Sequence, residues 1–151
     1  MRKAAIVSLA LCALVAWAGY SVAKGPGGNM GSEKVLLTPR AGATGEGWAV
    51  VVTDDEGIVK ANVHLDGAPA EEEYAIFIVI GSNWQGVDGT IATNWKGKGA
   101  GLASQAIPEN QISDDGTIAV RVAVRPDPID PSMMGWTSDT VTLPVKPPYA
   151  D

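Results

Sequence analysis

The stretch Ile58-Val59-Lys60-Ala61-Asn62-Val63-His64-Leu65 decides the fold, because apolar and polar side chains alternate along it. In an extended chain, successive side chains point to opposite faces. The apolar set therefore shares one face and the polar set the other: Val59, Ala61, Val63 and Leu65 against Lys60, Asn62 and His64. This pattern is typical of a half-buried β-strand with one wet face.

The same alternation recurs along the chain, with turn residues between the segments. We predict strands near 34–38, 47–54, 58–65, 73–80, 88–93, 99–107, 116–125 and 137–143. No window shows an apolar period of 3.6, so helix is expected only as a turn near Pro108 to Gln111. Connections such as Asp54-Asp55-Glu56-Gly57 are too short for crossover helices and favour antiparallel pairing. Seven to eight such strands predict a single antiparallel β-sandwich.

The segment Tyr74-Ala75-Ile76-Phe77-Ile78-Val79-Ile80 is apolar on both faces. It is either a central strand covered on both sides or a strand that presents one face to a partner. We favour the central strand, because a long exposed apolar strand would promote aggregation.

Two turn-and-strand patterns carry a resemblance to a known class of domain. The run Val63-His64-Leu65-Asp66-Gly67-Ala68-Pro69, followed by Tyr74, resembles a strand–turn–strand step of small secreted immunoglobulin-like modules. Gly89-Thr90-Ile91-Ala92-Thr93-Asn94, with Gly97 and Gly99, is similar to their next hairpin. The resemblance implies an immunoglobulin-like fold without a disulfide, and it implies no activity.

The amino terminus has the three parts of a secretory signal. Arg2 and Lys3 precede an apolar run, and small residues then offer cleavage after Ala18 or Ala23. The run is shorter than the roughly 20 residues that span a bilayer, so we expect no membrane span in the mature form. We predict a signal peptide over 1–23, a flexible leader over 24–33, the β-sandwich domain over 34–144 and an extended tail over 145–151. The mature chain is expected to be secreted, periplasmic or extracellular.

Removing the signal makes the chain more acidic and leaves it without cysteine. Loss of Arg2 and Lys3 lowers the count of basic residues from 11 to 9 against 17 acidic ones, which gives a net charge of −8. An acidic surface repels phosphate, so nucleic acid is not expected as a partner. Cys12 lies in the signal, so no disulfide is expected. A domain of this size can bury enough surface without one.

The residue inventory does not predict an enzyme. His64 is the single histidine, and it lies on the polar face of its strand without a Gly-x-Ser-x-Gly motif nearby. One histidine and no mature cysteine cannot form a tetrahedral zinc site. No cofactor is expected, with Ca²⁺ left as an option for the acidic turns at Asp54, Asp55, Asp114 and Asp115. The alternative is that these carboxylates bond to their own turns.

Tryptophan is the most informative residue type in the mature chain. Trp84 and Trp95 lie in matching contexts, Asn83-Trp84-Gln85-Gly86 and Asn94-Trp95-Lys96-Gly97, and Trp136 follows a proline-rich connection. An exposed indole can stack on a sugar ring, with Asn83 and Asn94 as hydrogen-bonding partners. Alternatively, these indoles cap the ends of the core. Trp84 and Trp95 are expected at opposite ends of the domain, unless the loop before Asp88 folds back.

These observations leave three functions open. The first is an exported non-catalytic module with a structural, adhesive or assembly role in the cell envelope or extracellular matrix. The alternatives are a carbohydrate-binding module that uses the loop tryptophans and a calcium-dependent binding module. The partner is then a protein or polysaccharide surface, and the sequence leaves the oligomeric state open.

Overall fold

The all-β composition predicted from the alternating segments is confirmed. A computed structural model describes residues 29–40, 42–84, 86–126 and 135–146. Within them lie nine strands and one turn of 3₁₀ helix (Glu109–Gln111). The strands are β1 (Asn29–Pro39), β2 (Glu46–Asp54), β3 (Ile58–Asp66), β4 (Glu73–Ile80), β5 (Gly89–Ala92), β6 (Gly99–Ala106), β7 (Thr117–Pro126), β8 (Trp136–Ser138) and β9 (Val141–Pro144). Each neighbouring pair is antiparallel.

The strands close into a barrel, so the predicted immunoglobulin-like β-sandwich of seven to eight strands is wrong. Hydrogen bonding runs in the order β4-β5-β6-β3-β2-β1-β8-β7, and β7 then pairs with β4. That last pairing extends from Tyr74↔Pro126 to Ile80↔Val120 and closes a ring of eight strands. Strands β8 and β9 pair with successive parts of the same edge of β7. Strand β8 pairs with Ala123 and Val124, and β9 pairs with the preceding residues up to Val120.

Alternation alone could not distinguish the two architectures, because a sandwich and a barrel each bury one face of every strand. Closure depends on how the strand edges meet. The short strand β5 bridges β4 and β6, and glycines allow it to approach β6 closely. A Cβ atom at Gly89 would collide with the carbonyl oxygen of Leu102, and one at Gly101 with that of Thr90.

The barrel interior is filled by the side chains that the alternation assigned to the core. In β3, Val59, Ala61, Val63 and Leu65 are buried, and so are Ile118, Val120, Val122 and Val124 in β7. An eight-stranded barrel is just wide enough for side chains to fill its interior. Near the entry to β8, Trp136 packs edge-on against Tyr74, with 5.1 Å between ring centroids. Its indole N–H donates to the carbonyl of Gly45 at 3.3 Å.

Strand β4 is central, as its doubly apolar sequence predicted. It pairs with β5 on one edge and with β7 on the other. Its outward side chains Ala75, Phe77 and Val79 are buried like its inward ones. The segment 81–88 folds back over this outer face, and the ring of Trp84 lies 5.7 Å from that of Phe77.

Asp88 extends the pairing of β4 beyond the end of β5. The register of β5 on β4 stops at Ile76↔Gly89. One residue before β5, the Asp88 N–H donates to the Ile76 carbonyl at 2.9 Å, and its carboxylate accepts the Ile78 N–H at 2.6 Å. Burial raises the pKa of Asp88, although the bond from Ile78 acts in the opposite direction. The side chain therefore takes the place of a missing strand partner.

The chain ends differ in part from the predicted boundaries. Strand β1 begins at Asn29, inside the predicted leader of 24–33, because pairing with β2 supplies the hydrogen bonds that this glycine-rich sequence would not form alone. Val145, the first residue of the predicted tail, is buried and donates to the carbonyl of Gly116. The predicted signal peptide of 1–23, the leader up to residue 28 and the tail from 147 to 151 lie outside the described residues. The part of the chain that the structure describes contains no helix long and apolar enough to cross a membrane.

We predict that Asp88→Ala lowers the free energy of unfolding by about 1 to 3 kcal/mol, because it leaves the Ile78 N–H without its acceptor. Asp88→Asn is the matched control, since it keeps an acceptor and removes a partly buried charge. Urea denaturation at pH 7 should find Asp88→Asn close to the unmodified protein. Equal destabilisation by both variants would contradict the assigned role.

Candidate functional site

The structure separates the four tryptophans beyond the predicted signal peptide into one core residue and three surface residues. Trp136, predicted as a ligand-binding residue, is 2% exposed and lies in the core beside Tyr74. Trp84 is 42% exposed and Trp95 is 72% exposed. Trp48 is half-buried on the outer face of β2. The two tryptophans of the Asn-Trp-x-Gly contexts therefore reach solvent.

Two arginine side chains of β7 approach the ring of Trp84 on the outside of the barrel. The guanidinium carbon of Arg125 is 4.7 Å from the indole centroid, and that of Arg121 is 5.4 Å away. These residues line a cavity of about 190 Å³, which we call the Trp84 pocket. The described residues that line it are Arg40, Trp84, Arg121, Arg125, Gly135 and Thr137.

The arginines of the Trp84 pocket are all the arginines of the chain beyond the predicted signal peptide. Two ion pairs occur among the described residues, Lys60–Asp54 and Lys98–Asp66, and neither includes an arginine. The pocket is thus a concentration of positive charge on a chain whose formal net charge is −6.

Trp95 lines a second and more open cavity of about 480 Å³, which we call the Trp95 pocket. The described residues that line it are Glu71, Glu72, Glu73, Ala92, Thr93, Asn94 and Trp95. The ammonium of Lys96 lies 4.8 Å from the indole centroid. The indole therefore shares its cavity with three glutamates and an asparagine, and one cation lies over its ring.

Hydrogen bonds hold together the two loops that form the Trp95 pocket. The buried hydroxyl of Thr93 donates to the Pro69 carbonyl at 2.7 Å and accepts the Glu72 N–H at 3.1 Å. The Glu71 N–H donates to the Asn94 carbonyl at 3.2 Å. These hydrogen bonds hold the two loops in place in the absence of a ligand.

The two predicted asparagines have different roles. The Asn94 side-chain oxygen accepts the N–H groups of Lys96 at 2.9 Å and Lys98 at 3.1 Å, so it shapes the turn that carries Trp95. Asn83 is half-buried and donates its backbone N–H to Ile80, and this contact turns the chain back toward the barrel. Both asparagines therefore position the neighbouring indole.

Trp84 and Trp95 do not form one platform. The segment before Asp88 does fold back, which was the condition for bringing the two indoles together. It carries Trp84 onto the outer face of β4 and β7, whereas Trp95 lies between β5 and β6. The two pockets have no lining residue in common.

The acidic turns proposed as calcium ligands bond to their own backbone. The Asp54 carboxylate accepts the N–H groups of Glu56 and Ile58 and pairs with Lys60 at 3.0 Å. Burial acts to raise the pKa of Asp54, but these bonds outweigh it and the pKa lies below its ordinary value. The Asp115 carboxylate accepts hydrogen bonds from the N–H and the hydroxyl of Thr117. Among the described residues, the carboxylates of Asp55 and Asp114 accept no hydrogen bond from their own turns. No group of three or more His, Cys, Asp or Glu side chains in the described ranges could hold a metal ion.

A third surface, missed in the sequence, lies on the outer face of β1, β2, β3 and β6. One register row across it contains Leu36, Trp48, His64 and Ala100, and the next contains Lys34, Val50, Asn62 and Leu102. We call these two rows the Trp48 face. The rings of Trp48 and His64 stack with 3.9 Å between centroids, and Lys34 lies 4.7 Å from the indole centroid. The alternation placed His64 on a polar face, but it could not give the neighbouring strands.

Comparison with known proteins assigns the chain to no family. No protein-family model matches the chain, and a search of curated proteins found no significant match.

We predict that His64 titrates below its ordinary pKa of about 6.5. Burial lowers this pKa, and the ammonium of Lys34 lowers it further. Because the folded pKa lies below the unfolded one, the stabilising contribution of neutral His64 is complete above about pH 6.5 and is lost as the pH falls. His64 is the only histidine, so its ring protons can be followed by NMR. Lys34→Gln should raise the measured pKa, and a value at or above the ordinary one would contradict this prediction.

Proposed function

We propose that the protein is an exported, non-catalytic carbohydrate-binding module that acts outside the cytoplasm. One observation carries the proposal: the two Asn-Trp-x-Gly loops each hold an exposed indole at the edge of a polar pocket. The secretory pattern of residues 1–23 supports the location.

The chemistry of these pockets suits a sugar. A pyranose ring has C–H groups on its faces, which pack on an indole, and hydroxyl groups around its edge, which need hydrogen-bonding partners. In the Trp95 pocket, Glu71, Glu72, Glu73 and Asn94 line the same cavity as the indole. Carboxylates are acceptors for hydroxyl donors, so this set can bind the edge of a ring that stacks on Trp95.

The fixed loops favour binding further. The buried hydroxyl of Thr93 connects the loop of Pro69 and Glu72 to the loop of Trp95. A site whose loops are already ordered loses little conformational entropy when it binds. The barrel therefore acts as a rigid scaffold, and binding needs no reacting group.

We expect Trp95→Ala and Trp84→Ala each to weaken binding to a recognised polysaccharide by about tenfold or more, as for a central aromatic anchor. The measurement is affinity electrophoresis against a panel of neutral and acidic polysaccharides, followed by titration calorimetry with oligosaccharides of those retained. Leu102→Ala is the matched control, because Leu102 is an exposed apolar residue outside both tryptophan pockets. Equal loss in this control, or no retention by any polysaccharide, would refute the proposal.

An assembly role is a second candidate, and the Trp48 face favours it. Leu36 and Leu102 are each 72% exposed on this face, and half-buried Trp48 and Val50 lie between them together with His64 and Asn62 of β3. Exposed apolar side chains grouped on one face mark an interaction site more often than isolated apolar residues do. The occupant that we propose is a second copy of this chain.

Sedimentation velocity across a range of protein concentrations tests this second candidate. We expect a concentration-dependent dimer, which Leu36→Glu together with Leu102→Glu should convert to a monomer. Val87→Glu is the control, since Val87 is 48% exposed and lies in the segment 81–88, away from this face. A protein that is monomeric at every concentration would eliminate the assembly role.

A further inference from the structure

The distribution of arginine indicates the kind of sugar that the Trp84 pocket takes. After the predicted signal peptide the chain has 17 acidic residues and three arginines, and all three arginines line this pocket. Within the part of the chain that the structure describes, no acidic residue belongs to its lining. A cation-lined cavity on an acidic protein attracts anions selectively.

We propose that the Trp84 pocket binds an anionic sugar residue, whose carboxylate or sulfate is held by Arg40, Arg121 and Arg125 while Trp84 packs against the ring. This inference rests on the proposed carbohydrate-binding function and specifies the ligand class of one of its two pockets.

The fold brings the arginines together from separate elements. Arg121 and Arg125 share the outer face of β7, and their Cα atoms are about 13 Å apart at 3.3 Å per residue. Their side chains nevertheless converge, because both guanidinium groups lie within 5.4 Å of the Trp84 ring centroid. Arg40 follows β1 and donates its backbone N–H to the carbonyl of Gly135, which fixes it on the far side of the cavity.

The contacts of the two β7 arginines leave their hydrogen-bonding capacity available. Stacking on an indole uses the flat face of a guanidinium, whereas its N–H donors lie in the plane of the group. Among the described residues, no carboxylate lies within 4.0 Å of Arg40, Arg121 or Arg125. A forked donor of this kind binds a carboxylate or a sulfate through two parallel hydrogen bonds.

The Trp84 pocket is small and combines two kinds of surface. Its volume is about 190 Å³, against about 480 Å³ for the Trp95 pocket. The exposed part of Trp84 offers an apolar surface beside the cations. An anion without a ring would use the arginines alone, so the combination favours a charged sugar over a free inorganic ion.

Titration calorimetry with charge-matched pairs of oligosaccharides tests the inference. One pair is oligogalacturonate and its methyl ester, and the other is a sulfated galactan oligomer and its desulfated form. We expect one anionic member to bind about tenfold or more tightly than its neutral form, and the pair that shows the difference identifies carboxylate or sulfate as the anion. The preference should weaken as NaCl increases.

The variants Arg40→Gln, Arg121→Gln and Arg125→Gln should each reduce the affinity for the anionic oligomer by about tenfold, with little change for the neutral form. Arg125→Lys keeps the charge and the contact with Trp84, so it should fold normally and lose part of the affinity. Lys98→Gln is the control, because Lys98 is a cation of the β5–β6 loop that lines neither tryptophan pocket. Circular dichroism spectra confirm that each variant is folded.

The outcomes separate this inference from the proposed function. Equal affinity for charged and neutral oligomers, lost in Trp84→Ala, overturns the anionic class and leaves carbohydrate binding in place. Binding that depends on Trp95 alone overturns this inference only, whereas no glycan binding refutes both. Asp127 and Asp130, which lie outside the described residues, give a last control. If Asp127→Asn with Asp130→Asn creates anion binding that the unmodified protein lacks, the arginines are neutralised within the chain and the inference is wrong.

Discussion

Strand β4 must be covered on two apolar faces and hydrogen-bonded along two edges, and the rest of the structure depends on this requirement. Its inner face fills the barrel, and its edges pair with β5 and β7. The β7 pairing closes the ring, so the architecture becomes a barrel. Its outer face, with Phe77 at the centre, is covered by the returning segment 81–88 and the indole of Trp84.

The candidate site follows from the covering of that outer face. Because Trp84 must lie on Phe77, it comes to rest beside the outward positions of β7, which are occupied by Arg121 and Arg125. An indole with a structural role thereby becomes part of a charged pocket. The Trp95 pocket has a different origin, since it is formed where the buried Thr93 ties two loops together. One barrel thus presents two chemically distinct pockets, one cationic and one acidic.

Acidic and basic side chains are distributed differently over the barrel. Asp54 and Asp115 accept hydrogen bonds from their own turns, and this use of carboxylates stabilises hairpins. The arginines, in contrast, gather at one place on the barrel. The Trp48 face and the Trp84 pocket lie on opposite sides of the barrel. Strand β3, which carries His64, is four strands away from β7, which carries Arg121 and Arg125, in either direction around the ring.

The sequence by itself determined the strands, their antiparallel pairing and their buried faces, because side chains alternate with a period of two regardless of what covers them. It also identified β4 as central and Trp84 and Trp95 as candidates. Only the tertiary structure decided barrel over sandwich, since both bury one face of each strand and closure depends on the meeting of distant edges. It also placed Trp136 in the core, and it brought Arg40 to Arg121 and Arg125 across about 80 positions of chain. No local pattern encodes such a meeting, because it arises from strand order in three dimensions.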